Sequence, residues 1–226
     1  MNEQILQFLK ELRQNNNRDW FHANKERYDL LHQVFLDEVQ DLINRIALFD
    51  KEIIGIEAKD CYFRIYRDIR FSPDKTPYKT HFGAYIAAYG GKNSQRGGYY
   101  LHLEPEHCLL AGGIWCPKTP LVKKIRQDIY DHVEEFEAIV EKPAFKKIFP
   151  SLDGDVLKRV PYGFSADFKY EEVLRHKDFS MSIVKPDSFF TAPDWLEQTA
   201  ACFKIMLPFN RFLNYTVDEF EGRIEI

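Results

Sequence analysis

The feature that most constrains the fold is a change in the spacing of hydrophobic residues near residue 60. Before this point, hydrophobic residues recur every three or four positions, which is the spacing of one helix face. After it, hydrophobic and polar residues alternate in several short runs, as they do in strands that are buried on one face. The chain is therefore expected to fold as α+β, with helices and strands in separate parts of the sequence.

Turn-forming residues divide these patterns into elements. The predicted helices lie between Asn2 and Asn15, at about 18–48, between Pro120 and Pro143, at 170–177, and at 193–207, where Pro208 ends the last one. The predicted strands are 61–71, 81–89, 98–104, 108–115 and 179–184. Short turns between the strands of residues 60–116 favour a mostly antiparallel sheet, which packs against the N-terminal and central helices. Without a repeat or a linker, residues 1–226 are interpreted as a single domain, with N-terminal helices at 1–50, the sheet at 60–116 and a mixed part at 120–226.

Composition excludes several classes of protein. The 31 Lys and Arg residues nearly balance the 35 Asp and Glu residues, which argues against a protein that coats nucleic acids non-specifically. The four cysteines form no CxxC pair, and His102, His107, Cys108 and Cys116 lack zinc-site spacing. No GxGxxG, P-loop or GxSxG motif is present, so neither a cofactor nor a metal is expected. Without a secretion signal or a membrane span, the expectation is a soluble cytoplasmic protein with no membrane partner.

The most unusual segment is residues 64–81, which holds three arginines and two lysines against two aspartates. In a strand, Arg64, Tyr66, Asp68 and Arg70 would share one face. A turn at residues 72–74 would bring the later basic and aromatic residues back towards them. Because arginine binds carboxylate and phosphate groups through two parallel hydrogen bonds, the segment predicts an anion-binding pocket. The predicted ligand-binding residues are Trp20, Arg64, Tyr66, Arg67, Arg70, Lys75, Tyr78 and Lys79.

The alternative for this segment is an internal salt-bridge network that only fixes the turn, for instance Arg64 with Asp68 and Arg70 with Asp74. Arg67 would lie on the apolar face of the strand. An unpaired charge is costly there, so it requires a carboxylate partner or a bulge. The sequence leaves both interpretations open.

Three residues are candidates for acid–base chemistry: Asp68, His81 and His102. His102 shares a strand face with Tyr100 and Glu104, so that an imidazole and a carboxylate two residues apart could act as a pair. An ordinary exposed strand face explains the same pattern.

Several blocks resemble the family known as domain of unknown function 2461. The longest is residues 64–80, which fits RxYRDxRFSxDKxPYKT; the others are 15–21 with Asn24 and Lys25, 98–105 with 111–113, and 157–161 with Gly163 and Phe164. The resemblance extends over most of the chain. It implies a fold, but no activity and no catalytic set.

The predicted function is therefore the binding of a small anionic, phosphate-bearing ligand in a cleft formed by residues 64–81. Whether the protein is an enzyme is left open, and the sequence indicates no oligomeric state. The first alternative is nucleic-acid binding, with Trp20 and Tyr66 stacking on bases. The second is a scaffold or interaction domain without a ligand.

Overall fold

The computed structural model describes residues 2–224. Within this range the chain forms ten α-helices and four β-strands. The helices are α1 Asn2–Gln14, α2 Arg18–Ala23, α3 Lys25–Ala47, α4 Ala58–Cys61, α5 Thr119–Asp131, α6 Val133–Val140, α7 Pro143–Ile148, α8 Glu171–Arg175, α9 Asp187–Thr191 and α10 Trp195–Phe220. The strands are β1 Phe82–Ile86, β2 Gly98–Leu103, β3 Cys108–Ile114 and β4 Phe179–Lys185. None of the helices in this range combines the length and the apolar character that crossing a membrane requires.

The four strands form one antiparallel sheet in the order β1-β2-β3-β4, so each strand pairs with the next strand along the chain. This arrangement confirms the α+β prediction. Alternating hydrophobicity located all four strands, including β4, which lies far along the chain from the other three. The predicted strand at 61–71 is wrong. That stretch contains the end of α4 and then irregular backbone with two isolated bridges, Tyr62–Ala84 and Tyr66–Tyr78.

Helices α4, α7 and α9 were not predicted, and three of the predicted helices differ in their extent. The predicted helix at 18–48 is two helices, because Asn24 leaves helical geometry and its side-chain amide donates to the Trp20 carbonyl oxygen at 2.9 Å. The predicted helix after Pro120 is likewise interrupted at His132, whose ψ is 40°. Pro208 does not end the last helix, which continues as α10 to Phe220. Phe209, Leu213 and Val217, which follow it, are fully buried, and burial of this kind offsets the cost of about 3 kcal/mol of an internal proline.

The chain divides into two compact units. The first contains residues 2–92, Tyr100–Leu110 and Val184–Ala201, and the second contains Asn93–Tyr99, Ala111–Ile183 and residues 202–224. Three of the five boundaries fall within strands β2, β3 and β4, one falls within α10, and one falls between β1 and β2. The sequence therefore carries no linker that would reveal them.

The first unit has its core between α1, α3 and β1. The buried face of α1 includes Phe8 and Leu9, and that of α3 includes Phe35 and Val39. The rings of Phe35 and Phe82 lie 5.2 Å apart, which joins α3 to β1. The apolar stripe of α3 that was predicted from the sequence is thus the face that covers the strand.

The second unit contains the part of α10 that follows residue 201, and this helix holds strand backbone through two asparagines. Asn210 accepts from the Gly113 amide at 2.9 Å and donates to the Gly98 carbonyl oxygen at 3.0 Å. Asn214 accepts from the Gly97 amide and donates to its carbonyl oxygen. Gly113 has φ +96°, and a Cβ atom there would lie 2.1 Å from the Phe179 carbonyl oxygen, so only glycine fits.

Candidate functional site

Residues 62–84 form an irregular antiparallel arm in the first unit. The Phe63 amide donates to the Gly83 carbonyl oxygen at 2.9 Å, and the Lys79 amide donates to the Ile65 carbonyl oxygen at 2.8 Å. Along the first segment of the arm, only Arg64 separates Phe63 from Ile65. Along the returning segment, three residues separate Lys79 from Gly83. The arm therefore contains a bulge at residues 80–82. Bulges bend a strand and redirect its side chains, and here the bulge includes His81.

The arm is held by the asparagine block that precedes α2. The side-chain amide of Asn16 donates to the Tyr78 carbonyl oxygen at 2.9 Å, and its oxygen accepts from the Tyr78 amide at 3.1 Å. The Asn16 side chain thus makes the two hydrogen bonds to the Tyr78 backbone that a neighbouring strand would otherwise make. The Tyr78 ring is buried and stacks on Phe21, with ring centroids 4.0 Å apart. Two blocks that are distant in sequence, 15–21 and 64–80, are therefore parts of one structure.

Three of the five predicted cations are engaged within the segment itself. Arg70 forms a two-point contact with Asp68, with Nη2–Oδ2 2.6 Å and Nε–Oδ1 3.0 Å. Arg67 pairs with Asp74 and donates to the Thr76 carbonyl oxygen at 3.2 Å. Lys75 Nζ donates to the Ile69 carbonyl oxygen at 2.9 Å. A salt-bridge network is thus present, but its partners differ from those expected: Arg70 pairs with Asp68 rather than Asp74, and Arg67 takes Asp74.

These contacts determine the state of the two aspartates. Hydrogen bonds from the Arg70 side chain and backbone amide lower the pKa of Asp68. The backbone amide of Thr76, together with Arg67, lowers the pKa of Asp74 to about 2. Both carboxylates are ionised at neutral pH and already serve as acceptors. Asp68, a candidate base in the sequence, lies in this network.

Arg64 and Lys79 differ from the other cations of the segment, and we call them the cation pair. Within residues 2–224 neither side chain forms a salt bridge or a side-chain hydrogen bond, although the charge of Arg64 contributes to lowering the pKa of Asp68. Lys79 Nζ lies 5.3 Å from the centre of the Phe63 ring. Burial, and then the charge of Arg64, lower the pKa of Lys79. The two cations therefore repel each other, and an anion between them would relieve that repulsion.

Next to the cation pair lies the His–Glu cluster, which consists of His81, His102 and Glu104. The rings of His81 and His102 have centroids 4.3 Å apart. His102 Nε2 lies 3.3 Å from Glu104 Oε2, and His102 Nδ1 lies 2.8 Å from the Tyr100 hydroxyl. The Thr80 hydroxyl donates to Glu104 Oε1 at 2.7 Å. Strand alternation aligned Tyr100, His102 and Glu104 as expected, but only the bulge brings His81 to them.

This face of β2 is not an ordinary exposed strand face, because His102 is only 8% exposed. Burial, the charge of His102 and the nearby Lys79 lower the pKa of His81 to about 4. Burial also lowers the pKa of His102. Burial would raise the pKa of Glu104, but hydrogen bonds from Thr80 and His102 outweigh it, so the pKa lies below its ordinary value. At neutral pH the cluster contains neutral imidazoles beside a carboxylate.

The aromatic residues that were predicted to bind a ligand lie away from this cluster. Trp20 packs on Phe8, with ring centroids 5.7 Å apart. The Tyr66 ring contacts Phe21 and Tyr78 and is 44% exposed. All three predicted aromatics thus contribute to one packed group between the helices α1–α3 and the arm.

The described residues form open grooves at the family's sequence blocks. One, of about 690 Å³, lies between residues 16–19 and 74–77 and also includes Ile69. Of the predicted ligand-binding residues it contains Lys75. The other, of about 820 Å³, lies in the second unit and is lined by residues 158–164, Ala166, Glu171 and Arg175. The two grooves coincide with recognised sequence blocks, but neither includes the His–Glu cluster.

The ligand atoms of His81, His102 and Glu104 lie within 4.8 Å of one another, which is the separation that could hold a metal ion. The sequence prediction of no metal site considered only the spacing of residues 102–116. It missed this set, because His81 lies 21 positions before His102. Thr80 was also missed. The available signal was that Thr80 and His81 are the last two residues of the basic segment.

Comparison with known proteins agrees with the sequence blocks. A family model described as "Conserved hypothetical protein (DUF2461)" matches residues 4–212. No curated protein matches the chain, and no solved structure matches it. The match includes the arm, the cation pair and the His–Glu cluster, as well as the groove of the second unit. The chain belongs to the DUF2461 family, as the residues of the basic segment predicted.

Proposed function

We propose that the protein binds a small anionic, phosphate-bearing ligand at the cation pair Arg64 and Lys79, beside the His–Glu cluster. The observation that carries the proposal is that these two cations form no salt bridge within residues 2–224, whereas Arg67 and Arg70 are ion-paired. Keeping two like charges close together is unfavourable, and Lys79 is partly desolvated as well. A bound phosphate would accept hydrogen bonds from both side chains and neutralise them.

The cluster supplies further groups of the kind that phosphate recognition uses. His81 lies near Lys79, since the lysine charge acts on the pKa of the imidazole. The Tyr100 hydroxyl and the two imidazoles can exchange donor and acceptor roles with a ligand that carries a protonated or ester oxygen. Binding at this position places the ligand against groups that are capable of proton transfer.

The test is thermal unfolding of the protein with inorganic phosphate and a panel of phosphate monoesters, at constant ionic strength. A ligand at about 100 times its dissociation constant stabilises the native state by about 2.7 kcal/mol. For a chain of this size that corresponds to a rise in Tm of about 5–11 °C. Sodium chloride at equal ionic strength is expected to produce no comparable rise.

Variants locate the site. Arg64→Gln and Lys79→Met each remove one charged hydrogen bond, worth about 1.5–3 kcal/mol, so the affinity is expected to fall about tenfold or more. Arg70→Gln is the matched control, because Arg70 is exposed and paired with Asp68. It is expected to bind as the wild type does. Equal losses in all three variants, or no loss in any, would contradict the proposed site.

The same protein preparations distinguish the other two functions predicted from the sequence. A nucleic-acid binder would show an affinity for single-stranded oligonucleotides that falls steeply with salt concentration. A scaffold would respond neither to phosphate monoesters nor to oligonucleotides. Substitution of Tyr66, the most exposed of the arm's three tyrosines, would weaken oligonucleotide binding and leave phosphate binding unchanged.

A further inference from the structure

We propose that His81, His102 and Glu104 form a binding site for one divalent transition-metal ion of the Zn²⁺ class. Two imidazoles and one carboxylate are a ligand set that suits zinc and its first-row neighbours. Their ligand atoms already lie within 4.8 Å of one another. Ligand atoms around tetrahedral Zn²⁺ are roughly 3.3 Å apart, given metal–ligand distances of about 2.0–2.1 Å, so a small closure of the side chains completes the site.

The hydrogen bonds of His102 and Glu104 are those that a metal site requires of its ligands. In metal sites, the ring nitrogen of histidine that does not bind the ion is held by a hydrogen bond, and the carboxylate is oriented in the same way. His102 Nε2 points to Glu104, and its Nδ1 lies 2.8 Å from the Tyr100 hydroxyl. With the metal on Nε2, the proton of His102 resides on Nδ1 and is donated to the Tyr100 oxygen. The free oxygen of Glu104 is held by the Thr80 hydroxyl at 2.7 Å.

Burial favours the same interpretation. His102 is 8% exposed, and the side chain of Glu104 is 23% exposed. Partial burial strengthens the attraction between the Glu104 carboxylate and a cation that is bound beside the two imidazoles. The nearby Lys79 ammonium opposes a second cation. That repulsion is expected to weaken the binding of the metal ion when no anion is bound.

The number of ligands indicates the type of site. Structural zinc sites are closed by four protein ligands, whereas catalytic sites have three and leave one position open. This cluster has three. The next step rests on the proposed function. The open coordination position of the metal would face an anion held by Arg64 and Lys79. A phosphate monoester and the metal are then expected to strengthen each other's binding.

The experiment is the addition of Zn²⁺ or Co²⁺ to chelator-treated protein without any phosphate, followed by calorimetry and by the visible absorption of Co²⁺. We expect one ion per chain, a visible Co²⁺ band typical of coordination by nitrogen and oxygen atoms, and no binding of Mg²⁺, which prefers all-oxygen sites. Glu104→Gln and His81→Gln are expected to lower the affinity more than 100-fold. Tyr100→Phe is expected to lower it about 10- to 100-fold, as loss of a hydrogen bond to a metal ligand does.

His107→Gln is the matched control, because this exposed histidine lies 6.3 Å from the His102 ring but outside the cluster. It is expected to bind metal as the wild type does. Thermal unfolding of each metal-free variant verifies that the fold is intact. Absence of binding in the folded wild type, or equal loss in His107→Gln and Glu104→Gln, would overturn the inference. Because no phosphate is present, failure here is distinct from failure of phosphate binding at Arg64 and Lys79.

Discussion

Glu38 on α3 provides a sharp test of how burial determines charge in this protein. Its Oε2 atom is buried and has no hydrogen-bond partner within the described residues. Burial, with smaller contributions from Asp41 and Asp37, raises the pKa of Glu38 from 4.5 to about 7. The ionised form is therefore unfavourable in the folded state, while the unfolded chain ionises it normally.

The perturbation is Glu38→Gln, which keeps the size of the side chain and removes the charge. The difference between 4.5 and about 7 corresponds to about 3 kcal/mol, at about 1.4 kcal/mol per pH unit. Partial access of solvent reduces this figure to about 2 kcal/mol. Since the folded pKa is the higher one, the wild type loses stability as the pH rises from about 4.5 to about 7. The glutamine variant lacks this loss.

The assay is urea unfolding of both proteins at a series of pH values from about 4 to about 8.5. We expect equal stability near pH 4 and an advantage of about 2 kcal/mol for Glu38→Gln above pH 7.5. Glu26→Gln, an exposed residue of the same helix, is the control and is expected to show no such divergence. Parallel curves for the wild type and Glu38→Gln across the whole range would refute the reasoning.

Two further predictions concern the backbone. Gly113→Ala is expected to destabilise the protein by about 3 kcal/mol in urea unfolding, because its Cβ atom would lie 2.1 Å from the Phe179 carbonyl oxygen at a φ of +96°. The control is Gly163→Ala, because Gly163 has a similar φ of +99° but an added Cβ atom would have no neighbour within 4 Å; it is expected to cost about 1 kcal/mol. Equal losses of stability in the two variants would show that the contact with Phe179 is not decisive. Asn16→Ala removes both hydrogen bonds to the Tyr78 backbone and is expected to cost about 2 kcal/mol, with faster limited proteolysis of residues 62–84. An unchanged cleavage rate would mean that the arm is held by other contacts.

The elements that could be predicted are those whose signal is local. Strand alternation and the helical stripe depend on side chains that are only two to four residues apart, and they located β1–β4 and the buried face of α3. The same rules failed at 61–71, where alternation is present but the bulge opposite Arg64 prevents regular pairing. They failed again at Pro208, because the burial of the residues after it outweighs a local preference.

The candidate site shows the same division. The amino-acid sequence was sufficient to identify the family, to select residues 64–81 as the basic segment and to place Tyr100, His102 and Glu104 on one strand face. It could not determine which arginines remain unpaired, because Asp68 and Asp74 can each reach more than one guanidinium group. Nor could it bring His81 to His102. Tertiary contacts decided both points, since ion pairing and clustering depend on distances in space between residues that the chain itself separates.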